Sequence, residues 1–176
     1  GKMTQPEHEK EPRNFIVKDL GREFRLYGYY LGYASTESRG SDRWIEFAIY
    51  KAHKSGKYVL SRIGRSRRFH TEDCREARRN PPLPRVPLAT IDIEASPCPV
   101  CLPRGDDALE DNHLVCPEQD RPWVSTHDTA AELIDGMTQI SENGSHFLTN
   151  VARDVLESAA KNDQDLHRAY YYVEIT

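Results

Sequence analysis

Residues 69–103 read FHTEDCREARRNPPLPRVPLATIDIEASPCPVCLP. Two pairs of metal-ligating side chains stand at its ends, His70-x3-Cys74 and Cys98-x2-Cys101, with 23 residues between them. A short reverse turn such as Cys-Pro-Val-Cys aims two thiolates at one point. A His-x3-Cys pair on a turn aims two more ligands. Three sulfurs and one nitrogen complete the closed tetrahedron typical of structural zinc, with no position left for a substrate water. The spacing also admits a second quartet. Cys98 and Cys101 can pair with His113-x2-Cys116, a plausible zinc pattern in its own right. Cys98 and Cys101 are ligands under either choice.

The first pattern resembles the metal-binding domain of the Ada DNA-repair protein and the many bacterial modules built like it. The shared residues are His70, Asp73-Cys74, Pro97-Cys98, Cys101 and Pro103, all within residues 68–103. The resemblance favours His70, Cys74, Cys98 and Cys101 over the rival set and implies Zn2+ as cofactor. It departs from the family at one point. The first Ada ligand is a cysteine that accepts a methyl group from a DNA phosphotriester, and here that position is His70. An imidazole can ligate zinc but cannot replace an activated thiolate. The resemblance therefore implies the scaffold and argues against the repair reaction.

Outward from this stretch, seven of the eleven prolines fall between residues 80 and 103, which disfavours long helices there. Upstream, FRLYGYYLGYA (24–34) reads as a strand interrupted at a glycine. RWIEFAIY (43–50) alternates apolar residues with period two, HKSGK gives a turn, and KYVLSRI follows as a partner strand. A three-stranded antiparallel meander is the expected product. Acidic GDDALEDN (105–112) reads as a loop, with a short strand near HLVCPE. Downstream the period changes. Thr126 or Asp128 can cap a helix burying Ala131, Leu133, Ile134 and Met137, and SENGS ends it. Ser145 can cap a second helix to about Lys161, with a stripe of Phe147, Leu148, Val151, Val155, Leu156 and Ala159. Asn162 and Asp163 open a short helical piece, and YYYVEIT reads as a final strand. The expected fold is α+β: a small antiparallel sheet, a zinc-clamped loop region and a C-terminal helical pair. The expected organisation is a disordered segment over 1–14, a sheet plus zinc region over 15–125, and a helical part over 126–176 on the same core.

The composition supports one modest core, with 38% hydrophobic residues in 176. No apolar run is long enough to span a bilayer, and the first residues carry no secretory h-region. Four cysteines without such a signal predict metal ligation in a reducing cytoplasm rather than disulfides. The whole chain carries −4 charges, yet residues 51–85 hold eleven Lys+Arg against three acids, a net +8. Lys57, Arg62, Arg65, Arg67, Arg68, Arg75, Arg78 and Arg79 are thus candidate phosphate contacts beside the metal site, with Tyr58 and Phe69 as stacking surfaces. The alternative is a charged face paired to the acidic remainder or to an acidic protein. A helix-turn-helix over 128–161 is disfavoured because its second helix is too acidic to read a groove. His53 and His127 stand near acids, and Ser61, Ser66 and Ser125 lack a nucleophile's setting. The expected function is a non-enzymatic, zinc-stabilised binding module that contacts DNA or RNA. The alternatives are a protein-interaction module and an enzyme, such as a nuclease, whose site the sequence does not display.

Overall fold

The computed structural model describes residues 11–79, 81–101 and 109–175. It divides into two compact units. The larger contains the chain up to Thr36, Ile45–Ile63 and Arg121 onward, and the smaller contains Glu37–Trp44 and Gly64–Asp120.

The larger unit is built on a five-stranded sheet. Its strands are β1 (Arg13–Asp19), β2 (Arg22–Ser35), β3 (Arg43–Ala52), β4 (Tyr58–Ser66) and β9 (Arg121–His127), in the order β1-β2-β3-β4-β9. The three central strands are the expected meander. β2 runs antiparallel to β3 with a register shift between Tyr30 and Gly32, and Gly56 takes φ +71° in the turn before β4. The strands on either side were not expected. β1 joins β2 through a two-residue turn, Asp19 facing Arg22. β9 adds to the far side of β4, and the sheet curls so that Val17, Val59 and Val124 share one buried cluster.

Three helices cover the other face of the sheet. Helix α1 (Ala130–Met137) starts at Thr129, whose hydroxyl accepts from the Glu132 N–H at 3.1 Å. Helix α2 (Asn150–Ala160) starts at Thr149, and α3 (Gln164–Tyr171) at Asp163, each side chain accepting a first-turn N–H. Leu31, Ile49 and Tyr58 from the sheet pack against Leu133, Val155, Leu156 and Leu166. Burying each such side chain contributes about 1.5–3 kcal/mol. Helix α2 lies so close to β2 that a Cβ on Gly32 would stand 2.5 Å from the Ala159 backbone nitrogen. A glycine at that point of the strand is what admits the helix.

The expected α+β fold with a small three-stranded sheet is overturned. Among the described residues strand occupies 40% and helix 19%, so they are mostly β, with a curled five-stranded antiparallel sheet and three helices. Several boundaries move for local reasons. SENGS does not end the helix, which stops at Met137 with Thr138 as its C-cap. That segment instead closes a hairpin between β10 (Gln139–Ile140) and β11 (His146–Phe147), with Gly144 at φ +84°. Phe147 therefore leaves the helical stripe, and Thr149 caps in place of Ser145. Tyr170 and Tyr171 end α3 instead of forming a strand, because Asp163 caps a helix whose Leu166 is fully buried. The disordered segment expected over 1–14 lies mostly outside the described residues, and Arg13 and Asn14 belong to β1. Half of the acidic loop at 105–112, residues 105–108, also lies outside them. No helix among the described residues is long and apolar enough to cross a membrane.

The smaller unit holds a four-stranded sheet, in the order β6-β8-β5-β7, made of β5 (Arg68–Thr71), β6 (Val86–Pro87), β7 (Ser96–Pro97) and β8 (Leu114–Pro117). A 3-10 turn, Leu88–Thr90, follows β6. β8 runs antiparallel to β5 and β6, and β7 runs parallel to β5. The apolar core here is small: Cys74, Ala77, Leu83, Cys98 and Cys116, with Cys101 against it.

Candidate metal centre

The parallel pairing of β7 on β5 brings the two distant ligand stretches together. Arg68 faces Ser96 and Phe69 faces Pro97, and the Cys98 N–H donates to the Phe69 carbonyl at 2.9 Å. Cys98 thus emerges beside His70. On the other side, turns close with the Cys74 N–H on the Thr71 carbonyl and the Ala77 N–H on the Cys74 carbonyl. His70, Cys74, Cys98 and Cys101 each place one ligand atom within 4.8 Å of all the others. His70, Cys74 and Cys98 are buried and Cys101 is half-buried.

The geometry fits a metal ion. His70 Nδ1 lies 3.6 Å from Cys74 Sγ and 3.7 Å from Cys101 Sγ. A tetrahedral ion with metal–sulfur bonds of about 2.3 Å and metal–nitrogen bonds of about 2.0 Å has an N···S edge of about 3.6 Å. A group of three cysteines and one histidine that could hold a metal ion is therefore present and mostly buried. Burial, followed by hydrogen bonding with Cys74, pushes the Cys101 thiol up to about 12, with Thr71 opposing. A bound divalent cation inverts that balance, because a coordinating thiol gives up its proton.

A shell of polar groups orients the imidazole. His70 Nε2 lies 2.7 Å from Glu118 Oε2. Glu118 also receives Ser66 Oγ at 2.6 Å and Arg43 Nε at 2.9 Å, with a second contact from Arg43 Nη2. Burial opposes ionisation of this carboxyl, but the hydrogen bonds from Arg43, Ser66 and His70 outweigh it and hold the group down at about 2. An ionised carboxylate only accepts, so Nε2 carries the proton toward Glu118, and Nδ1 is the ring nitrogen on the side of the sulfurs. Glu76 is a second acid beside the donors, its Oε2 3.6 Å from His70 Nδ1 and 3.8 Å from Cys98 Sγ. His70, Glu76 and Glu118 form a second, overlapping group of possible ligands.

The rival ligands do not join the four. His113 is exposed, and its Nδ1 accepts from the Glu110 N–H at 2.8 Å. Cys116 is buried opposite His70 in the sheet and packs in the same small core, outside the four-donor group. Burial and the Glu72 carboxylate raise its thiol.

The eight basic candidates are divided between the units. Lys57 and Arg62 belong to the larger, where Lys57 Nζ lies 3.5 Å from Asp128 and Arg62 stacks over Trp123. In the smaller unit Arg65 pairs with Asp120 at 2.5 Å and Arg68 with Asp42 at 2.8 Å. Arg67 pairs with Glu37 and stacks 4.6 Å over the Trp44 ring. Arg75, Arg78 and Arg79 follow Cys74 on an exposed loop, and among the described residues they have no carboxylate partner. Of the stacking candidates, Tyr58 and Phe69 are both buried. Sequence reasoning missed Glu118, Arg43 and Ser66. No spacing signal links them to His70, since the fold alone carries Glu118 across from β8.

Comparison with known proteins adds no assignment: no family model, no curated protein and no solved structure matches the chain.

Proposed function

We propose that this chain is a non-enzymatic binding module whose smaller unit is organised by one structural zinc ion, and that Arg75, Arg78 and Arg79 contact the phosphates of a nucleic acid. Three thiolates and an imidazole are a soft donor set that suits zinc. Four protein ligands leave no place for a metal-bound water, so the ion has a structural role. The Ada resemblance rests on the same ligand positions and points to the same scaffold. The observation that carries the nucleic-acid reading is the contrast among the arginines. Arg65, Arg67 and Arg68 meet carboxylates, whereas the three after Cys74 are exposed cations beside the metal site.

The paired arginines also favour a second reading, a protein-interaction module in which much of the basic segment stabilises the fold itself. One experiment separates the two. Purified protein is analysed for metal and titrated against duplex and single-stranded DNA and RNA in gel shifts at several salt concentrations. If three phosphates are neutralised, log affinity falls with log salt at a slope of roughly −2 to −3. Replacing Arg75, Arg78 and Arg79 together by Gln then removes binding and leaves bound zinc unchanged. Retention that is absent, independent of salt or indifferent to the triple substitution refutes the nucleic-acid reading. Less than one equivalent of zinc refutes the structural one.

A further inference from the structure

The larger unit contains a cavity of about 320 Å³ that the metal centre does not use. β3, β4 and β9 form one wall, and the end of α1 with the start of α2 forms the other. Phe47, Leu60, Met137 and Ala152 make its surface largely apolar. Its size is at the lower end of the range that encloses small organic molecules.

Three features converge on this cavity. First, Arg62 lines it, with its guanidinium 5.6 Å from the centre of the Trp123 ring. Among the described residues Arg62 has no carboxylate partner, in contrast to Arg43, Arg65, Arg67 and Arg68 of the other unit. A cation held over a ring at the edge of an apolar cavity suits an anion whose body is apolar. Second, Ser125 Oγ and His127 Nε2 lie 2.9 Å apart on the same wall, alternate residues on one face of β9. They supply a neutral donor and acceptor near the charge. Third, Gly136 is the penultimate residue of α1 and lines the same cavity. A Cβ there would stand 2.5 Å from His127 Cε1. The imidazole therefore packs directly on the bare backbone of the last turn of α1. Helix α2 also begins on this wall, so the positive end of its dipole has the same sign as Arg62.

We infer that this cavity binds a small amphipathic carboxylate, its apolar body against Phe47, Leu60 and Met137 and its charged end on Arg62 beside the Ser125–His127 pair. This inference is independent of the zinc and nucleic-acid readings. It assigns no bond-breaking step to Ser125 or His127, because among the described residues no third group hydrogen-bonds the imidazole.

The test is an NMR titration of the full chain with octanoate, 1-octanol and octylammonium as probes, followed through the Gly136 amide and the Trp123 indole N–H. Octanoate is expected to shift both signals saturably. Octanol should bind about tenfold more weakly or worse, and octylammonium should not bind. Arg62→Gln should weaken octanoate by about tenfold while the remaining spectrum stays in place. Octanol binding as tightly as octanoate in the unaltered chain overturns the inference whatever the variant does. So does an Arg62→Gln affinity equal to that of the parent, or the absence of saturable shifts at these two residues.

Discussion

Replacing Glu118 by alanine tests whether the imidazole is held for a metal ion. Glu118 accepts from His70 Nε2 at 2.7 Å, and His70 is only 1% exposed, so no water can easily take the place of the lost carboxylate. Two costs follow. The orphaned Nε2–H costs about 1–3 kcal/mol of folding stability with or without metal. The second appears only with metal. Outer-shell partners of a ligating histidine are worth about 10–100-fold in affinity. At metal concentrations far above Kd that ratio narrows the stability gap between loaded and metal-free protein by about 1.4–2.7 kcal/mol. The lost Arg43 contact adds little, because that guanidinium is 42% exposed on its side chain. Competition with a chromophoric chelator measures the affinity, and urea unfolding with and without zinc measures the gap. Glu118→Gln keeps a carbonyl oxygen within reach of Nε2–H and should bind zinc within several-fold of the parent. If the folded alanine variant binds zinc as tightly as the parent, Glu118 does not orient His70 and the assigned tautomer is wrong.

Three further outcomes follow from particular contacts. Cys116→Ser should leave metal stoichiometry at the parent value, since Cys116 lies outside the four-donor group; loss of the ion on metal analysis would return Cys116 to the ligand set. Gly32→Ala should lower stability by about 1–3 kcal/mol in urea unfolding, because the obstructing atom 2.5 Å away is helix backbone that no rotamer change can move; an unchanged midpoint would refute the close packing of α2 on β2. Burial depresses the His127 pKa below its usual 6.5, with Glu132 opposing. The folded state then binds fewer protons than the unfolded one, so His127's contribution is complete above that value and declines as pH falls below it. Comparing the parent with His127→Gln at pH 7.5 and 5.5 should show a smaller acid loss in the variant, and equal losses would contradict the assignment.

The parts of the molecule that were legible in the sequence are those whose signal is local. Alternation at Ile45, Phe47 and Ile49 marks β3, and turn chemistry at Gly56 marks the hairpin. The group of four that could hold a metal ion is legible because Cys-x2-Cys and His-x3-Cys are short local patterns, and the resemblance favoured pairing those two over His113 and Cys116. The strands β1 and β9 were less visible. FIVKD in β1 is short and next to a charged segment, and β9 alternates Trp123, Ser125 and His127 with smaller residues. Both gain their apolar partners only when the sheet curls and Val17 meets Val124. The tyrosines at 170–172 read as strand by propensity, but a cap nine residues back from Tyr172 and the burial of Leu166 decide otherwise. Glu118 was out of reach altogether, since what matters about it is a register, His70 opposite Cys116, that no pattern within either strand records.

The composition of the smaller unit shows what a metal ion would add there. Its buried apolar residues are few, and three of the five in its core are cysteines. Its strands β6 and β7 are two residues each, and prolines at 81, 82, 84, 87, 97 and 99 withhold backbone donors along the loops. Such a segment has little apolar burial to set against the conformational entropy of its own ordering. A structural zinc ion supplies an apparent 10–16 kcal/mol in small modules, roughly the stability of a whole domain. The core of the larger unit, around Leu31, Ile49, Leu133 and Leu156, contains no metal ligand. Chelation should therefore abolish hydrogen-exchange protection in β5 and β8 and leave it in β2, β3 and α2. Equal loss in all of these elements would show that the two cores fold as one cooperative whole. Unchanged protection in β5 and β8 would show that the cysteines and His70 pack without need of an ion.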